Sequence, residues 1–137
     1  MQQALLEAQT AFDKGETPVG AIVVCNNRII ARAHNLTETL NDVTAHAEMQ
    51  AITAAANTLG GKYLSESTLY VTLEPCPMCA GALAWAQIQR VVYGASDEKR
   101  GYTRYSPELL HPKTEVTSGV LAAQASDLMK RFFQARR

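Results

Sequence analysis

Thr68-Leu69-Tyr70-Val71-Thr72-Leu73-Glu74-Pro75-Cys76-Pro77-Met78-Cys79-Ala80-Gly81-Ala82-Leu83-Ala84-Trp85-Ala86-Gln87, followed at once by Arg90-Val91-Val92-Tyr93-Gly94, is the stretch that decides the fold. Thr68 to Leu73 is rich in β-branched and aromatic side chains, which suit a pleated strand. Pro75 ends it. Cys76 to Gln87 is Ala-rich and reads as a helix, with Pro77 acceptable in its first turn, where the missing N–H costs nothing. Arg90 to Gly94 is a second strand. A strand–helix–strand unit predicts a right-handed crossover and parallel neighbours in one sheet.

Working toward the N-terminus, Gly60-Gly61 ends a helix predicted over 45–59, with Thr44 as its cap. Val19 to Cys25 is a short apolar run. Asn26-Asn27 then punctuates, and Arg28 to His34 resumes, which predicts a hairpin whose first strand is buried on both faces. Ala4, Leu5, Ala8, Ala11 and Phe12 have helical spacing, and Gly15 stops that helix. Toward the C-terminus, 95–114 shows no periodicity, Val116 sits in a short strand, and a last helix covers 121–134. Strands alternate with helices, so the class is α/β. No repeat, low-complexity tract or linker interrupts the chain, and residues 1–137 are expected to form a single domain.

The chain has 137 residues, 47% of them hydrophobic and 19% charged, with thirteen basic and thirteen acidic side chains. That composition excludes a disordered or collagen-like chain. Zero net charge excludes a global basic field, though not a local basic face. No apolar run approaches the roughly 18 residues of a membrane span, and no signal peptide is evident. The expected setting is therefore cytoplasmic, where the Asn35-Leu36-Thr37 sequon carries no meaning. Three cysteines cannot all pair within the chain, and in such a setting Cys-x-x-Cys reads first as metal-binding or redox-active.

Two clusters stand at the amino ends of helices, where α/β sheets bind ligands. One is His46-Ala47-Glu48; the other is Pro75-Cys76-Pro77-Met78-Cys79. His46 offers an imidazole nitrogen. Cys76 and Cys79, three apart, share a helix face, and the helix dipole there favours thiolates. One nitrogen and two sulfurs suit zinc and leave a fourth tetrahedral position open, the mark of a catalytic site whose bound water becomes nucleophilic. Glu48, two residues on, is placed to take that water's proton and hand it to a substrate. His-x-Glu followed by Pro-Cys-x-x-Cys is the known signature of zinc deaminases. Two other readings compete: a redox pair, and a structural zinc site completed by Cys25, His34 or His111. Glu48 argues against the second, because a closed site has no use for a carboxylate beside the metal.

At these residues the chain resembles the cytidine deaminase superfamily, and within it the bacterial tRNA adenosine deaminases. The resemblance spans Thr17-Pro18-Val19-Gly20-Ala21, Asn35, Thr44 to Glu48, Leu69 to Cys76, Cys79-Ala80-Gly81-Ala82, Val91 to Ala95 and Phe132-Phe133. It implies a three-layer α/β/α sandwich around a five-stranded mixed sheet. It also implies hydrolysis of adenosine to inosine at the wobble position of tRNA, by a homodimer with one zinc ion per subunit. By the same resemblance His46, Cys76 and Cys79 are metal ligands, Glu48 is the proton shuttle, and Asn35 and the backbone at Ala47 hold the flipped base. The chain departs from the family at Gly101-Tyr102-Thr103-Arg104-Tyr105, at Gln87 and at Leu110-His111-Pro112. Pro77-Met78 and Trp85 are similar to guanine deaminases of the same superfamily.

Substrate is thus open between a tRNA anticodon stem-loop and a free guanine, cytosine or nucleoside. A zinc-stabilised binding module is a third reading. Lys99, Arg100 and Arg104, beside Tyr102 and Tyr105, and the last helix with Lys130, Arg131, Arg136 and Arg137, are candidate RNA contacts. Solvated helix ends explain the same cations equally well. The pair Phe132-Phe133 reads more readily as core than as a base platform.

Overall fold

A computed structural model describes residues 1–136; Arg137, one of the expected cations, lies outside them. Five strands form one sheet: β1 (Gly20–Cys25), β2 (Arg28–His34), β3 (Ser67–Leu73), β4 (Arg90–Ala95) and β5 (Glu115–Thr117), in the order β2-β1-β3-β4-β5. The β1–β2 hairpin is antiparallel and β1 also runs antiparallel to β3, whereas β3–β4 and β4–β5 are parallel. The sheet is mixed, as the resemblance implied.

The helices divide between the two faces. On one lie α1 (Gln2–Asp13) and the C-terminal α5 (Ala122–Gln134), packed on β1, β3 and β4 and on each other. On the other lie α2 (Ala47–Leu59), against β1 and β2, and α3 (Pro77–Ala86), against α2. These layers make β1 a buried strand, since helices cover both of its faces. The core on the second face is built from Ala21, Val23, Ala51, Ala55, Leu69, Val71, Leu83 and Val91. Alanines on the helices let them sit close to the strands. The closest approach is at Gly20, where a Cβ would collide with the α1 backbone at Ala4 and come 2.5 Å from the Ala8 nitrogen. Among the described residues no helix is long and apolar enough to cross a membrane.

Three local expectations are corrected. Thr44 does not cap α2: its amide and hydroxyl both donate to the Asp42 carboxylate, at 2.8 and 2.7 Å. The helix starts two residues later than 45, with His46 as its extended N-cap residue. The aperiodic stretch 95–114 contains a one-turn helix, α4 (Tyr102–Tyr105), tied down by the Tyr102 amide donating to the Pro75 carbonyl at 2.9 Å. Finally, Phe132 and Phe133 part company. Phe132 is buried edge-on to Phe12, with centroids 5.8 Å apart, while Phe133 is half exposed. Adjacent helical residues point about 100° apart, so only one of the pair can face the core.

Candidate active site

The carboxyl end of β3 leads through Glu74 and Pro75 into the first turn of α3. There Cys76 is the extended N-cap residue and Cys79 lies one turn in. The first turn of α2 comes in beside it, carrying His46 and Glu48. Two helix N-termini thus converge at one place, on the one face of the sheet that both helices cover.

His46 Nδ1 lies 3.6 Å from Cys76 Sγ and 3.5 Å from Cys79 Sγ. The three donor atoms all lie within 4.8 Å of one another, and they form the one such group of metal-ligating side chains found among the described residues. A tetrahedral zinc, with bonds of about 2.3 Å to sulfur and about 2.05 Å to nitrogen, needs a nitrogen–sulfur separation of roughly 3.55 Å. The donor set and its spacing therefore fit a zinc ion held by three protein ligands. Cys25, His34 and His111 do not join the group. His34 Nδ1 instead donates to the Glu7 carboxylate at 3.0 Å, and its Nε2 accepts from Lys14 at 3.1 Å. His111 Nδ1 accepts from the Lys113 amide at 3.1 Å.

The four side chains perturb one another's protons. The Cys76 thiol is pushed down to about 4, chiefly because the Cys79 thiol donates to its sulfur, with His46 adding a second hydrogen bond. Cys79 is held above its ordinary value by that same bond to Cys76 and by burial. His46 is raised because Cys76 accepts its proton. Burial pushes the Glu48 carboxyl up to about 7. A carboxyl poised near neutrality accepts and returns protons readily, which is what proton transfer in a reaction demands.

Glu48 is buried at the floor of an open cleft of about 1050 Å³. His46, Ala47, Cys76 and Asn35 share that floor. Asn35 is 6% exposed, and its amide Nδ2 donates to Thr37 Oγ1 at 3.3 Å. Ala47 opens α2, so its N–H lies among the first amides of the helix, which have no intrahelical acceptor. The walls carry Lys99, Arg100 and Lys130, together with Phe133. Arg104 and Arg131 are not among the lining residues. Arg104 donates to the Glu98 carbonyl at 3.4 Å, and Arg131 pairs with Asp127 at 2.9 Å and lies over the Phe12 ring. Arg136 is likewise occupied, donating to the Gly15 carbonyl at 2.8 Å over Phe132.

Sequence reasoning left out two buried acids, Glu16 and Glu74, 1% and 4% exposed. Each accepts two backbone amides and one threonine hydroxyl from a loop bordering the cleft. For Glu16 these come from Glu38 and Thr39; for Glu74 they come from Asp97 and Thr103. Those hydrogen bonds hold Glu16 below the usual carboxylate range, against the opposing pull of its burial. A carboxylate between an apolar strand and a proline, as at Glu74, was the available signal.

Comparison with known proteins places this geometry. The family model described as MafB19-like deaminase matches residues 1–137. A tRNA-specific adenosine deaminase of Bacillus subtilis (strain 168) is 46% identical over 142 residues, covering all of this chain and 88% of that protein. One from Agrobacterium fabrum is 42% identical, covering all of this chain and 93% of that protein. A solved structure from work on A-to-I editing by tRNA:A34 deaminases at the wobble position superimposes with a TM-score of 0.86. It shares 42% identity and covers 93% of this chain and 96% of its own. A guanine deaminase structure from Bacillus subtilis is also 42% identical, but it matches 69% of this chain and 61% of its own, with a TM-score of 0.67.

Proposed function

The chain belongs to the MafB19-like deaminase family, and from that premise we propose that it hydrolyses adenosine to inosine at the wobble position of a tRNA anticodon, with zinc as its metal. The observation that carries the chemistry is the triangle of His46, Cys76 and Cys79 with a buried carboxyl beside it at the floor of a cleft. Support for adenosine in tRNA comes from relatives that cover this chain from end to end.

His46, Cys76 and Cys79 would hold the ion. When bound, zinc supplies the Lewis acidity that makes water a nucleophile near neutral pH. Glu48 takes the proton that the attacking water gives up. It delivers that proton to the ring nitrogen beside the carbon that bears the amine, then takes a second from the hydroxyl just added to that carbon and delivers it to the amine, which departs as ammonia. Adenosine and water thus become inosine and ammonia, and Glu48 ends in its starting state. Asn35 and the Ala47 N–H hydrogen-bond the edge of the flipped base. Lys99, Arg100 and Lys130, on the walls, meet phosphates of the flanking nucleotides. A tRNA substrate is consistent with work in the cytoplasm.

A cleft open to the walls admits an unstacked base still joined to its strand, which favours RNA over a free base. The test is incubation with an anticodon stem-loop, guanine, cytosine and adenosine. Inosine in the RNA alone is expected; xanthine from guanine with unmodified RNA contradicts the reading.

A homodimer completes the proposal. Helix α3 exposes Met78 and Trp85 on one face, with Trp85 86% exposed, an unusual position for so large an apolar surface. Residues seven apart share a helix face, so the two lie along a single ridge suited to a second copy. Trp85→Glu should shift the protein from dimer to monomer in sedimentation velocity; an unchanged dimer would move the interface elsewhere.

A further inference from the structure

The segment Gly101-Tyr102-Thr103-Arg104-Tyr105, where the sequence departs from its family's pattern, is wrapped around one buried carboxylate. Glu74 Oε1 accepts the Asp97 amide at 3.1 Å, while Oε2 accepts the Thr103 amide at 3.0 Å and the Thr103 hydroxyl at 2.7 Å. Gly101 lies so close that a Cβ there would collide with the Glu74 carboxyl group. Asp97 extends the arrangement: its Oδ1 accepts the Lys99 and Arg100 amides at 3.1 and 3.0 Å, and its carbonyl accepts the Gly101 amide at 2.9 Å. The backbone on either side of the two wall cations is therefore fixed, through Asp97 and Thr103, to a carboxylate only two residues from Cys76 in sequence.

We propose that Glu74 is a positioning residue: its carboxylate holds the 97–103 loop so that Lys99 and Arg100 stand ready for the phosphates of the RNA strand threaded past the metal centre. This rests on the reading of the substrate as RNA. Long side chains on an unrestrained loop lose conformational entropy when they grip a phosphate; on a fixed loop much of that loss is already incurred on folding. The clasp therefore acts on substrate binding and not on the proton transfers of Glu48. Its two ends lie 23 and 29 residues from Glu74 in sequence, so it ties the loop after β4 to the turn after β3.

The test compares wild type with Glu74→Gln, which keeps the side chain's size but cannot accept all three hydrogen bonds. Gly101→Ala serves as a second variant that displaces the carboxylate without altering it. Steady-state kinetics on an anticodon stem-loop are measured across a salt series, with zinc content checked for each protein. For both variants KM should rise about tenfold with kcat changed far less, and the slope of log KM against log salt should fall by roughly one phosphate contact. Hydrogen exchange at the Asp97 and Thr103 amides should quicken in Glu74→Gln. A lower melting temperature with KM and salt slope unchanged would overturn the proposal, since a purely structural acid would behave that way. Wild type that deaminates guanine but not RNA would overturn the reading beneath it, and the proposal with it.

Discussion

Replacing Glu48 with alanine should leave the zinc content near one ion per chain while deamination falls by at least about a thousandfold. Glu48 is not part of the donor triangle, so metal retention follows from the geometry. The loss follows from what the carboxyl does. A positioned acid–base group is worth about 10² to 10⁴ in rate, and the proposed reaction uses Glu48 for more than one transfer in each turnover. Burial, with the neighbouring Cys76 charge acting in the same direction, raises it to about 7, which suits a group that must both take and release a proton. Glu48→Gln separates chemistry from packing, because it keeps the volume and loses the proton traffic; the same loss is expected. Near-native activity in either variant would remove Glu48 from the mechanism. Product should be followed as inosine in digested RNA and zinc by elemental analysis, so that a dead enzyme and a metal-free one are told apart.

Cys79→Ala is the second large effect, and it works through the metal. Cys79 is fully buried, 3.5 Å from the His46 nitrogen. Without its sulfur, two protein donors remain, and zinc content should drop to a small fraction of wild type along with activity. Stability should fall as well, because the free energy of binding an ion to a folded site adds to that of folding. Cavity formation contributes little here, since only one sulfur atom is removed. A chelator distinguishes the two causes: it should lower the wild-type melting temperature toward that of the variant and hardly move the variant itself. Full zinc occupancy in Cys79→Ala would contradict the ligand assignment.

The order of elements was legible because each relies on near neighbours. Val19 to Cys25, Thr68 to Leu73 and Arg90 to Gly94 are short β-rich runs bounded by breakers, and the structure has strands at all three. Gly60 takes the left-handed backbone that ends α2, with φ of 71°. The metal cluster was legible for a similar reason: spacing within a turn puts Cys76 and Cys79 on one face, and both motifs open helices. What the sequence hid depends on distant partners. Asp42 takes the Thr44 hydroxyl, which delays α2. Glu16 and Glu74 find their loops 22 to 29 residues away, beyond any periodicity. The basic residues at the C-terminus looked alike in sequence, yet Lys130 faces the cleft while Arg131 is paired with Asp127 and stacked on Phe12. Helical rotation separated them, as it separated Phe132 from Phe133.

The central claim is that three side chains bind zinc and leave its remaining coordination position to a non-protein ligand beside Glu48. X-ray absorption at the zinc edge of the purified protein measures this directly. The account predicts two sulfur and one imidazole scatterers with a single light atom in addition, in a protein carrying one zinc per chain. A shell of three or more sulfurs, a second imidazole, or no tightly bound zinc at all would contradict it.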